Sequence, residues 1–324
     1  MRREIASIAI MGVTLAVSQL IALAIAPAFK ESGLQAFPQP DDPTNAVVYI
    51  AMILAFTAVV LALLRYRRRN LAKGIILASI FLTLAFVMFL PVFYGLVLVS
   101  EPLFYNEFGL NLATAIAFGL AALLVVLLVK YPEWYVIDGI GLATAAGVTA
   151  ILGVSFGILP AILLLSGLAV YDAIAVYRTK HMVTLADELT SQRLPVLLVI
   201  PKRLDYSFRE QKSLKEQIAE GEEREAMFIG LGDLIIPGVM SVSASAALLP
   251  TGASWAGLGS NVLVALACLA GTLVGFVVLM RFVIRGNPQA GLPLLNGGAI
   301  AGFLVGYVLV YGNLTFGILT FGIV

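Results

Sequence analysis

Cysteine and histidine are almost missing: the 324-residue chain has one of each, Cys268 and His181. A single cysteine excludes a disulfide framework and any cysteine-rich metal centre. A single histidine, with no His-Glu-x-x-His sequence, excludes a zincin-type metalloprotease. No glycine-rich phosphate loop occurs. Charge is scarce too. Only 12% of the residues are charged, where a soluble domain carries about 25%. The net charge of +1 gives no electrostatic footprint for a nucleic-acid partner.

What the chain has instead is apolar length. Hydrophobic residues make up 60% of it, in runs long enough to cross a hydrocarbon core about 30 Å thick. The pattern predicts an all-α integral membrane protein with nine transmembrane helices, over residues 5–28, 46–64, 74–98, 111–129, 135–150, 153–177, 226–249, 258–284 and 292–312. The first run, Ile5 to Phe29, is too long for a signal-peptide core and is read as a span. Residues 135–177 form one apolar run about twice a single span, and a break near Ala150–Gly153 would divide it. With the N-terminus cytoplasmic, 19 of the 20 basic residues fall on cytoplasmic segments, and only Lys30 lies outside. This asymmetry orients the chain with its N-terminus inside and its C-terminus outside, as a multi-pass protein of the cell membrane.

Three regions follow: a six-span bundle over 1–177, a polar cytoplasmic loop over 178–225, and a three-span bundle over 226–324. The loop begins basic, at Arg178 to His181, and ends in a helix-favouring acidic stretch at 210–225. Between these lies a short β-prone run, Pro195 to Pro201.

Three acidic residues fall inside the predicted spans: Asp138, Asp172 and Asp233. No lysine or arginine lies deep in any span, and an unpaired carboxylate in the bilayer costs several kcal/mol, so these are the candidate functional residues. Asp172 stands six residues before Arg178, about 9 Å inside the cytoplasmic edge at helical rise. Asp233 stands nine residues after Arg224, about 13 Å inside by the same measure. Matched depth on one side suggests that the two face one another. Close carboxyls share a proton, so one can activate water while the other polarises an amide. Depth alone leaves open two helix-packing aspartates, or the proton relay of a transporter or channel. Asp138, beside Trp134 and Tyr135 where an aromatic belt is expected, reads as interfacial or supporting.

A serine mechanism has less support. Gly153-Val-Ser155-Phe-Gly157 matches a nucleophile pattern, but Ser155 lies near the end of its span opposite to the loop that carries His181, so it lacks a base. By contrast, Gly230-Leu231-Gly232-Asp233 places two glycines before the second aspartate, where close helix approach or local unwinding would let a peptide reach the carboxyl.

Three separated motifs resemble the presenilin and signal peptide peptidase family of intramembrane aspartyl proteases. Tyr171-Asp172, within Ala-Val-Tyr-Asp-Ala-Ile-Ala-Val, is similar to the family's Tyr-Asp motif in span six. Gly230-Leu231-Gly232-Asp233 is similar to its Gly-x-Gly-Asp motif in span seven. Pro293-Leu294-Leu295 stands where the family has Pro-Ala-Leu at the start of span nine, with Leu294 replacing the alanine. The resemblance covers most of the chain. It implies an Asp172/Asp233 catalytic pair, with Tyr171, Gly230, Leu231, Gly232, Pro293, Leu294 and Leu295 shaping the site. It implies transmembrane-segment substrates cleaved with water in the lipid bilayer, no metal or organic cofactor, and the presenilin orientation. Cleavage also requires a helical substrate to unwind. The free backbone at Gly291–Pro293 and at the β-prone run could pair with the exposed peptide groups.

Overall fold

The computed structural model describes residues 2–179, 197–202, 226–251, 257–284 and 289–316. Within these, eight helices are long and apolar enough to cross a membrane. They are α1 (Arg2–Glu31), α2 (Thr44–Arg65), α3 (Arg69–Val99), α5 (Glu107–Lys130), α6 (Trp134–Ser155), α7 (Ile158–Ile174), α9 (Ser260–Ile284) and α10 (Leu292–Tyr311). A ninth apolar helix, α8 (Leu231–Ala247), has 17 residues; α7 has as many but is continued by a π-helical turn into a span of 21 residues, Ile158–Arg178. A one-turn helix, α4 (Glu101–Phe104), follows α3. The sequence-predicted 210–225 helix and His181 lie outside the described residues.

Two boundaries differ from the sequence reading. The long apolar run breaks at Phe156–Gly157 rather than near residues 150–153. Gly157 caps α7, and its N–H bonds the Pro40 carbonyl at 2.8 Å. Pro160, in the first turn of α7, lacks a donor that would be orphaned there in any case. The seventh span departs further. Residues Ala226–Gly230, expected as helix, form strand β2, and helix starts only at Leu231. β2 pairs with β1, Leu197–Pro201, which confirms the β-prone run. The paired strand satisfies backbone groups that a helical turn would otherwise satisfy.

The chain divides into two compact units. One draws on Met1–Phe56, Ala145–Ala186 and Ile229–Val324. Its centre is α8, in which every residue from Ile236 to Ala244 is buried. A helix apolar all round and wrapped by protein has no lipid-facing side. α9 and α10 meet backbone to backbone: a Cβ on Gly271 would collide with the Gly298 carbonyl, and one on Gly275 with the Leu294 carbonyl. Small residues permit such approach in lipid, where helices associate through close packing rather than a hydrophobic drive. The other unit draws on Thr57–Thr144 and Asp187–Phe228. There Leu84, Leu128, Ile137 and Ile140 form a core that takes in Val199 of β1 and Ala226 of β2.

Candidate active site

Asp172 lies in the last turn of α7 and is 7% exposed. Immediately after that helix the backbone widens into a π-helical turn, Ala175–Thr179, a distortion frequent at functional sites. Asp233 lies in the first turn of α8 and is half-buried. Both aspartates thus sit at helix ends rather than in mid-helix. The depth read for Asp233 assumed a helical rise back to Arg224, but part of that stretch is strand.

The start of α10 brings the two together. The Leu292 N–H donates to Asp172 Oδ2 at 3.0 Å. One residue earlier, a Cβ on Gly291 would stand 3.1 Å from Asp233 Oδ1 and 3.4 Å from its Cγ. Adjacent residues therefore flank the two carboxyl groups: the Leu292 N–H bonds Asp172, and Gly291 lies where any side chain would press on Asp233. On the other side of Asp233, a Cβ on Gly230 would lie 3.3 Å from Oδ2. Gly230 and Gly291 together leave the Asp233 carboxyl room that any side chain would take. The φ of Gly291 is −79°, so its glycine is required by space and not by backbone conformation.

Donor accounting at the α10 N-terminus explains the proline. A helix leaves its first N–H groups without intrahelical partners. Here Leu292 finds Asp172, Pro293 has no N–H, and Leu294 and Leu295 both donate to the Gly291 carbonyl, at 3.2 and 3.1 Å. A carboxylate at this end also meets the positive pole of the helix. Further in, Asn296 Nδ2 donates to the Leu165 carbonyl at 2.8 Å, tying α10 to α7 a second time.

Of the remaining sequence-predicted residues, Tyr171, Leu231, Pro293 and Leu294 are half-buried around these carboxyls in the chain, and Leu295 is fully buried. Gly232 is exposed, with nothing within 4 Å of a notional Cβ. Ser155 is buried and accepts from the Ala36 N–H at 2.7 Å, a structural role that agrees with dismissing the serine pattern. Asp138 accepts a bond from the Val199 N–H at 2.7 Å. The reading from side chains missed the Gly291 and Leu292 contacts with the carboxyls. The signal available was a Gly-x-Pro sequence at a helix start, which advertises free backbone donors.

A family model, signal-peptide peptidase and presenilin aspartyl protease, matches residues 11–312. The chain belongs to this family. Its structure is similar to that of a presenilin family intramembrane aspartate protease in the C222 space group, at 35% identity and a TM-score of 0.63, covering 93% of this chain and 99% of the other. A structure of a presenilin family intramembrane aspartate protease in the P2 space group is similar at 35% identity and a TM-score of 0.61, covering 92% and 96%. Among curated proteins, none matches. The family is one of aspartyl proteases, and this presenilin-type chain is a multi-pass membrane enzyme of that class; no observation favours the transporter alternative.

Proposed function

We propose that Asp172 and Asp233 are the catalytic pair with which this aspartyl protease hydrolyses peptide bonds of transmembrane substrates. The observation that carries the assignment is that both carboxyls lie at Gly291–Leu292, Asp172 through the Leu292 hydrogen bond and Asp233 where a Gly291 side chain would stand 3.1 Å from its Oδ1. Two carboxyls so placed hold one proton between them. The ionised carboxyl takes a proton from water as the oxygen attacks the scissile carbonyl. The protonated one donates to that carbonyl oxygen, and proton return to the amide nitrogen releases the two products. Leu292 occupies one oxygen of Asp172 and so fixes the orientation of its other oxygen. Pro293, Leu294 and Leu295 support the backbone that bridges the pair, and Tyr171 and Leu231 flank it.

Purified protein with a single-span substrate tests the assignment. Asp172→Ala and Asp233→Ala should each abolish cleavage with thermal unfolding little changed, because the two act as one unit. Cleavage surviving in both variants would refute the dyad.

A further inference from the structure

Asp138 is a partly buried carboxylate in the second turn of α6 that the proposed chemistry does not use. Its Oδ1 accepts the backbone N–H of Val199 at 2.7 Å, across 61 residues of sequence. Val199 is the middle residue of β1 and is 1% exposed, with Leu198 and Ile200 beside it equally enclosed. A backbone N–H in such a place needs a partner, and Val199 has committed its own to a side chain rather than to a neighbouring strand. A two-stranded sheet is at best marginal by itself, so a point anchor on β1 bears on the whole strand pair. β2 is hydrogen-bonded to β1 and ends at Gly230, which is itself the N-cap of α8, three residues before Asp233.

We propose that Asp138 is a positioning residue for peptide cleavage: by holding Val199 it fixes the height and register of β1, and through β2 the backbone that delivers Gly230 and Asp233 to the site. The role requires a hydrogen-bond acceptor at a set distance and does not require charge. It rests on Asp233 being catalytic, but hydrogen exchange at the Val199 amide reads the anchor without any cleavage and separates the two ideas.

Three variants of the full chain test it. Asp138→Asn keeps an acceptor oxygen in place and should cleave within about threefold of the parent, with the Val199 amide still protected. Asp138→Leu removes the acceptor; kcat should fall about tenfold or more while KM holds, and Val199 should exchange faster while α9 and α10 stay protected. Asp138→Glu keeps the charge but moves the acceptor by a methylene, and should also lose activity. If Leu at this position prevents folding, the Asn and Glu pair still decides. Retention by Glu with loss by Asn would assign a charge-based role and overturn the proposal. Parental turnover in Asp138→Leu, or a change confined to KM, would overturn it as well.

Discussion

Gly291→Ala probes the start of α10, where it lies beside both aspartates. The added methyl would meet Asp233 Oδ1 at 3.1 Å, with Cγ and Oδ2 both at 3.4 Å, so the carboxyl or the α10 start must shift by a few tenths of an ångström. The Leu292–Asp172 bond, 3.0 Å long and on the next residue, takes up part of any backbone shift. Losing a hydrogen bond to a charged group outright is worth about 1.5–3 kcal/mol, roughly tenfold to hundredfold in rate. Partial displacement puts the expected loss in kcat near tenfold at the lower edge of that range. Stability should barely change, because the backbone at Gly291 is right-handed and accepts alanine. Gly297→Ala is the control. Gly297 lies on the same helix, exposed, with nothing within 4 Å of a notional Cβ. Alanine there should leave the rate unchanged and raise stability by up to about 1 kcal/mol. Initial rates on a fluorescent single-span substrate in proteoliposomes, with unfolding temperatures for each variant, supply the comparison. Parental turnover in Gly291→Ala would show that the α10 start does not set the carboxyl geometry. Equal losses in both variants would trace the effect to α10 generally.

Cleavage rate against pH should be bell-shaped, because the pair needs one proton: the acid limb reflects protonation of both carboxyls and the alkaline limb loss of the shared proton. A rate that rises with pH and never falls would implicate a different base. Pro293→Ala restores an N–H at the α10 start, where the neighbouring donors are already placed; turnover should fall strongly with little change in unfolding temperature, and a parental rate would reduce Pro293 to a helix-start residue. Gly298→Leu drives a side chain into the Gly271 carbonyl on α9 and should destabilise the protein by about 1–3 kcal/mol, measured as a lowered unfolding temperature. Test substrates reconstituted in both orientations should be cut only with their N-terminus on the outer side, as analogy with the family implies for a chain whose own N-terminus is cytoplasmic; equal cleavage of both would refute this.

The membrane architecture is legible in the sequence because hydropathy and charge asymmetry are long-range signals that survive errors of a few residues. Asp172 and Asp233 stand out by elimination, since ionisable side chains are rare in lipid. Five residues of β2 were hidden inside an apolar run, where periodicity over so short a stretch does not tell strand from helix. The break at Gly157 was displaced because the bond from its N–H to Pro40 is tertiary. Gly291 and Leu292 contact the carboxyls through backbone and through the lack of a side chain. Reading side-chain chemistry does not register either. The strand partner of Asp138 lies 61 positions away, and no local pattern names it.

The enclosure of α8 bears on how the chain enters the membrane. With Ile236–Ala244 wholly surrounded by protein, this segment meets almost no acyl chains once folded. At 17 residues it spans only about 25 Å at helical rise, shorter than the hydrocarbon layer. Lipid partitioning therefore does little to retain it, and its place is secured when α1, α9 and α10 close around it. A chain that ends before α10 would hold Asp233 without part of the protein that encloses its helix.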